Sequence, residues 1–384
     1  MEQCRWRVLA TSASVGAGYV RVGSSGSDPV VSECGSLRVR GVDLSFTLLE
    51  EGVGNCTSDN GVEEPVERII VRYGANYVRL RVWVDPIPGW FDLGSALVLG
   101  RRAHDAGMRL LVDLHYSDAW ADPGHQDIPA AWRGQSVVTL AESLENYTRE
   151  VVVAFAKQGT PVSMLQVGNE VVEGFLWPLA RIGRVGGESW SEFMTLLRAG
   201  ISGARAGMPD GQELTIMIHT DRGGDNAGAR RFYDRLVEES VCFDVIGLSY
   251  YPFWHGPLVD LQDNVIDLAV RYGKDVVIVE TAYPWTLENP CGQPGRFCTS
   301  EEQLPDVEAY PATPAGQAAY FEALRSSLQR VPDDRGLGFF VWEPAWLDGV
   351  GWGPGLPNPY ANLTMFDDHG RALPALRAFR ASGT

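Results

Sequence analysis

Two glutamates close short apolar runs in this chain. Glu170 ends Gly168-Asn169-Glu170, and Glu280 stands in Val279-Glu280-Thr281. Two carboxyl groups that face each other suit one reaction class above others. One of them, protonated, assists a departing oxygen, while the other, ionised, acts on the anomeric carbon of a sugar. Glycoside hydrolysis needs such a pair. A separation of about 5–5.5 Å implies a covalent glycosyl-enzyme and retention, and one of about 6.5–9.5 Å implies an attacking water and inversion. Either glutamate alone would read as half of an ion pair with Arg79 or Arg81. Together, with Asn169 beside one of them, they read as machinery.

Other polar residues end apolar runs in the same manner: Arg79 and Arg81, His115 with Asp118, His219 with Asp221, and Tyr250-Tyr251. Each alone could cap a loop, but burying so many polar groups at equivalent places needs compensation throughout. Arg81 is expected either to support Glu280 or to pair with Asp43 or Glu50. Tyr250 is expected to donate to Glu280, with Tyr251 packing. His115 and His219 read as hydrogen-bonders to substrate, with buried structural histidine as the competing reading. No HxH or HExxH spacing supports a metal. Seven tryptophans follow the runs: Trp83, Trp120, Trp177, Trp254, Trp285, Trp342 and Trp346. Flat indoles pack well on the C–H faces of sugar rings. About half of them are expected to fill core space instead, as large aromatics often do.

The elements that must position these residues repeat along the chain. Eight runs rich in Val, Ile and Leu begin at GVDLSF, NYVRLRVW, RLLVDLHY, VSMLQVGNE, LTIMIHT, FDVIGLSYY, DVVIVET and LGFFVWEP. Amphipathic stretches such as TLAESLENYTREVVVAFAKQG and QAAYFEALRSSLQRV separate them and end near Gly or Pro. Continuous apolar strands between helices mean a parallel sheet covered on its faces. Eight such units read as a single (β/α)8 barrel, whose functional residues gather at the C-terminal ends of the strands. Strands four and seven then carry Glu170 and Glu280 to opposite sides of the mouth. A doubly wound open sheet is the alternative, but no Gly-rich phosphate loop follows the first run.

Composition narrows the partners. The 384 residues carry 49 acidic and 32 basic side chains, a formal charge of −17 that would repel nucleic acid and an anionic membrane surface. Hydrophobic residues make up 45 %, enough for a large core. No apolar run is long enough to cross a membrane. The Gly/Ser-rich start has no apolar signal-peptide core. Six cysteines include no CxxC pair; Cys291 and Cys298 bracket a short loop that a disulfide would close in an oxidising compartment. Glycosylation sequons occur at Asn55, Asn146 and Asn362.

The blocks GVDLSFTLLEE, NYVRLRVWVDP, HYSDAWADPGHQDIPAAW, LQVGNEVVEGFLWP, IMIHTD, DVIGLSYYPFWHG, VVIVETAYPW and FFVWEPAWL run from Gly41 to Leu347, about 80 % of the chain. In this order they resemble the arabinogalactan endo-β-1,4-galactanases of glycoside hydrolase family 53, within a clan of retaining (β/α)8 glycosidases. The resemblance implies Glu170 as acid/base and Glu280 as nucleophile, with the Glu170 pKa raised and the Glu280 pKa depressed by Arg79 beside it. It implies Asn169 on the sugar 2-hydroxyl and Trp342 under the cleaved sugar, with Trp120 the next platform. Arg79, His115, Asp118, Trp120, Asn169, Trp177, His219, Asp221, Tyr250, Trp285 and Trp342 are the expected substrate-binding residues. The expected partner is a β-1,4-galactan polysaccharide, with no nucleic acid and no membrane, on an extracellular monomer. Relatives with a calcium site build it from the loops after strands seven and eight. Here residues 287–316 lack that Asp/His/Asn cluster and carry two cysteines, so no metal and no cofactor are expected. Residues 1–40 match nothing in the family core and are expected to form an N-terminal extension, either flexible or packed under the barrel, ahead of a catalytic domain over 41–384. The rivals are the same chemistry on another β-glycan, and a sugar-binding barrel without catalysis.

Overall fold

A computed structural model describes residues 37–184, 187–289 and 295–381. Eight parallel strands close into a barrel: β1 (Val39–Asp43), β2 (Tyr77–Val82), β3 (Arg109–Leu114), β4 (Val162–Val167), β5 (Thr215–Thr220), β6 (Val245–Ser249), β7 (Asp275–Thr281) and β8 (Gly336–Val341). Neighbours in sequence are neighbours in the sheet, and β8 closes on β1. Each strand overlaps one of the eight apolar runs, and the open-sheet alternative is excluded. Strand β1 begins at Val39, two residues before the expected boundary; residues 1–36 lie outside the described residues.

Helices cover the barrel between successive strands: α1 (Val66–Arg72), α2 (Leu93–Asp105), α3 (Val137–Gln158), α4 (Ser191–Ala206), α5 (Asn226–Glu238), α6 (Leu258–Tyr272) and α7 (Pro314–Gln329). After β8 the last covering element is a 3-10 segment, Pro374–Phe379. Local chemistry sets the helix ends. Asp92, Ser136, Asp225 and Thr313 accept a backbone N–H at the starts of α2, α3, α5 and α7, each worth about 1 kcal/mol. Left-handed Gly159 and Gly273 end α3 and α6.

Strand alternation divides the side chains. On β2, Val78, Leu80 and Val82 join the core under the helices, while Tyr77, Arg79 and Arg81 share the opposite face. Inside the barrel, Tyr77, Leu111, Met164, Met217, Val277 and Phe340 form part of an apolar floor. Two residues further along the same strands, Arg79, Asp113, Gln166 and His219 replace it with polar groups, all buried. Register shifts occur on several strand pairs, and one of them lies beside the site. Leu248 pairs with Ile278, but Ser249 pairs with Glu280, so β7 carries Val279 as an extra residue. This bulge lets Glu280 follow an inward Val279 and still align with Ser249.

Two of the three sequons are committed elsewhere. Asn362 is buried, and the Asn55 amide donates to Glu50 and to the Asp348 carbonyl. Asn146 stands exposed on α3. The Cys291–Cys298 pairing turns on Cys291, which lies outside the described residues.

Candidate active site

At the C-terminal mouth of the barrel a cavity of about 670 Å³ takes in both glutamates. Glu170 follows β4, and Glu280 lies within β7. Asp221, Tyr251, Trp342 and Tyr360 line the cavity with them, and Trp254 and Trp352 stand at its wall. The chain reaches Glu170 through Gly168, whose φ is +82° and where a Cβ would meet the Val171 side chain at 2.6 Å. Glu170 itself has φ +48° and ψ 50°. A left-handed conformation in a non-glycine residue costs on the order of 1 kcal/mol or more, so the surroundings must hold it.

Those surroundings are a continuous hydrogen-bond network. Arg79 is wholly buried and donates to Asp43 at 2.9 Å, Asp113 at 2.8 Å and the Asn169 Oδ1 at 2.9 Å. Its Nη2 also lies 2.8 Å from Glu280 Oε1. The Tyr251 hydroxyl donates to the other Glu280 oxygen at 3.1 Å. Tyr250 therefore does not play the part expected of it: its hydroxyl turns away to the Gly256 carbonyl. The two tyrosines are successive residues with opposite directions, and the partner of Glu280 is the second. Arg81 pairs with Glu343 at 2.5 Å and lies 3.9 Å from Asp43, rather than reaching Glu50.

Charge counting explains which carboxyls keep their protons. Two guanidiniums, Arg79 and Arg81, stand among the acids Asp43, Asp113, Glu280, Glu343 and Glu170. A dry site does not tolerate that much unpaired negative charge, so some acids stay neutral. Glu170 is held well above the usual carboxylate range by burial, then by the charges of Glu280 and Asp221. Burial and the charge of Asp43 do the same to Glu343. Burial also raises Glu280, although Arg79 opposes the rise. A depressed Glu280 was expected. Desolvation outweighs the pull of Arg79, which Glu280 shares with Asp43 and Asp113, and the weaker pull of Arg81. What differs between the glutamates is the degree: Glu170 has no cation against it, and Glu280 has Arg79.

The remaining expected residues divide by what their polar atoms touch. Asn169 Oδ1 takes Arg79, and its Nδ2 donates to the Ala121 carbonyl. His115 is a strut. Its Nδ1 accepts from the Trp83 indole and the Ala121 N–H, and its Nε2 faces Asp113, leaving no nitrogen for a sugar. Asp118 clamps loops, accepting from the Asp85 and Ala130 N–H groups. His219 is buried and lies between Asn169 and Ser249. Trp342 lines the cavity as expected of it. Trp120 is not the platform. Arg81 lies 4.4 Å over its ring and Trp352 stacks on it at 4.3 Å, so both faces are covered. Trp177 carries the Arg181 guanidinium at 4.2 Å, and Trp285 ties its backbone N–H to Asn362 beyond β8; neither lines the cavity.

Sequence reasoning gave Tyr251 only a packing role and passed over Ser249, Glu343, Trp352 and the Asp113–Gln166 pair. A signal existed for that pair: a charged and an amide side chain interrupt otherwise apolar strands on the face that carries the site. No comparable signal marked Trp352, which is set by loop geometry. Among the described residues no three His, Cys, Asp or Glu side chains gather as a metal would need.

The sequence model of glycosyl hydrolase family 53 matches residues 39–379, nearly the whole barrel. The chain belongs to glycosyl hydrolase family 53. A Niallia circulans protein described only as uncharacterised, from the bgaB 5′ region, is 42 % identical over 89 % of this chain and 93 % of its own. A probable arabinogalactan endo-β-1,4-galactanase A of Aspergillus terreus is 37 % identical, over 83 % of this chain and 88 % of its own. The solved family 53 catalytic domain of Ignisphaera aggregans superimposes with a TM-score of 0.82 at 37 % identity, over 90 % of this chain and 96 % of its own. In this family 53 hydrolase, the cavity at the barrel mouth is lined by both glutamates.

Proposed function

We propose that this chain is an endo-acting β-1,4-galactanase that cleaves by double displacement with retention. The observation that carries the reading is the unequal pair of glutamates in one cavity: Glu170 without a cation, Glu280 against Arg79. Glu170 gives its proton to the departing oxygen as Glu280 bonds to the anomeric carbon and the glycosidic bond breaks. Glu170, now a carboxylate, takes a proton from water, whose oxygen displaces Glu280 and frees the sugar. The galactan substrate rests on the likeness to the Aspergillus terreus protein. Trp342 supports the sugar at the cleavage point and Asp221 shapes the polar side, whereas His219 is buried behind the cavity with both ring nitrogens taken by protein groups. The chain is further read as an extracellular monomer that needs no metal and acts on the galactan side chains of pectin.

Reducing ends and viscosity are followed with linear β-1,4-galactan, carboxymethylcellulose and β-mannan. A rapid viscosity loss on galactan alone is the expected result. Cleavage of another glycan instead would move the substrate, and cleavage of none would make the barrel a binding protein. Glu170→Gln and Glu280→Gln are each expected to keep the fold and lose activity by at least about a hundredfold. Substantial turnover by purified Glu280→Gln overturns the mechanism. Proton NMR of the first product gives the anomer: β supports retention, and α refutes it.

A further inference from the structure

Glu170 has two oxygens, and only one can be useful to a departing sugar. Oε1 is taken by the Ser249 hydroxyl at 2.6 Å. Among the described residues no protein group bonds Oε2, and the residue lines the cavity. Which oxygen carries the proton depends on which way the hydrogen bonds behind Glu170 run. Ser249 is wholly buried and touches His219 Nε2 at 2.9 Å. The direction of that chain is therefore fixed by the tautomer of His219.

Donors with fixed hydrogens settle the tautomer. Arg79 has only donors, so the Gln166 oxygen faces Arg79 Nε and the Gln166 amide nitrogen faces the other way. That nitrogen donates to Asp113 Oδ1 at 2.6 Å, and its second hydrogen has Asn169 Oδ1 at 2.9 Å, His219 Nδ1 at 3.0 Å and the Gly168 carbonyl at 3.1 Å within reach. The backbone N–H of Glu170 also points at His219 Nδ1, at 3.4 Å. The Glu170 N–H, whose hydrogen the backbone fixes, is the donor that decides: Nδ1 offers it a lone pair. The ring proton is on Nε2 and donates to Ser249 Oγ. The Ser249 proton has one acceptor left, Glu170 Oε1. The opposite tautomer would donate from Nδ1 to Asn169 Oδ1, 3.0 Å away, and reverse every bond. It would also set the Glu170 N–H against another N–H.

We propose that Ser249, aimed by His219, is a positioning residue that confines the proton of Glu170 to Oε2, the oxygen presented to the glycosidic bond. Oε1 stays an acceptor whether Glu170 is acid or base, so one arrangement serves both halves of the reaction. In the reversed arrangement the proton would point at Ser249, away from the substrate. Burial holds His219 well below its ordinary pKa, so the ring supplies direction without a charge that would weaken the acid. The groups facing Glu170 are otherwise acidic, namely Glu280, Asp221 and Asp122. The β7 bulge sets Ser249 in register with Glu280, so this serine stands between the two glutamates.

The inference rests on Glu170 as acid/base, and two measurements keep the two ideas apart. Long-range 1H–15N spectra of protein labelled on its histidines, with His219→Gln for assignment, report the tautomer without any turnover. A neutral Nε2–H ring across pH 5–7.5 is expected, and an Nδ1–H ring overturns the proposal. Ser249→Ala removes a donor that favours the ionised acid. Its kcat is expected to fall about tenfold with KM unchanged, and the alkaline limb of its kcat/KM profile to move to higher pH. Ser249→Thr, which keeps the hydroxyl, is expected to restore both. An unmoved limb in Ser249→Ala, with native circular dichroism, reduces Ser249 to packing and sinks the idea. Full activity in Glu170→Gln would defeat the acid/base reading itself, whatever the tautomer.

Discussion

At the scale of single residues, the network separates neighbours that the sequence presents as equals. Tyr250 and Tyr251 adjoin, yet only Tyr251 touches Glu280. A hydroxyl donated to the nucleophile steadies its charge, a contribution of about 1.5–3 kcal/mol for a bond to a charged group. Tyr251→Phe is therefore expected to lower kcat by roughly tenfold to a hundredfold, while Tyr250→Phe leaves kcat within about twofold and lowers the melting temperature. Steady-state kinetics on galactan, with thermal denaturation of both variants, decide it; equal losses would contradict the assignment. Glu170, Glu280, Arg79 and Asn169 were legible because strand ends and spacing advertise them. The choice between Tyr250 and Tyr251 was not, because one residue of rotation at a strand end depends on the loop that follows. The sign of the Glu280 shift was likewise hidden. It depends on how many acids share Arg79, and Asp43 and Asp113 come from two other strands.

At the scale of elements, loops from different strands build the cavity wall jointly. Trp120, in the loop after β3, lies behind Trp352, in the loop after β8, and its indole N–H donates to the Trp352 carbonyl at 2.9 Å. Trp352 lines the cavity, and Trp120 with Arg81 is its backing. Trp352→Ala is expected to raise KM for galactan about tenfold with little change in stability, since the ring faces the cavity. Trp120→Ala is expected to lower the melting temperature as well, because it removes the support of Trp352 and a lid on Arg81. Paired kinetics and calorimetry test this; a Trp120→Ala protein of native stability would refute the backing role. The barrel strands and the quoted helical stretches were readable because period and punctuation agree: each of the eight runs overlaps a strand, and Gly159 ends α3 where the pattern stopped. The extra residue Val279 was not readable, since an apolar strand with a bulge looks like one without. Contacts between loops were equally silent, as no local pattern links Trp120 to a residue 232 positions away.

At the scale of the whole molecule, the buried acids tie stability to pH. Burial raises the Glu50 pKa to about 8, and that side chain accepts from Asn55 and the Leu347 N–H, holding the segment after β1 to the loop after β8. Glu170 and Glu343 are raised too. A carboxyl whose folded pKa is raised binds more protons in the native state than in the unfolded chain, so stability falls as pH rises above its unfolded value. For Glu50 the loss runs from about pH 4.5 to about 8. Asp43, shifted the other way by Arg81 and Arg79 despite its burial, loses its contribution only in stronger acid. The melting temperature is expected to decline between pH 5 and 8, and Glu50→Gln to flatten part of that slope. A melting temperature that rises over this range would contradict the charge count. The architecture at this scale was evident from the alternation of runs and helices, whereas the imbalance of charge emerged only when separate strands brought five carboxyls around two guanidiniums. That imbalance has a calorimetric face. Near neutral pH the barrel stores hydrogen ions that the unfolded chain cannot keep, so melting it is also an acid-releasing reaction. The heat recorded then includes the ionisation heat of the buffer, and phosphate and Tris would return different enthalpies for the same unfolding.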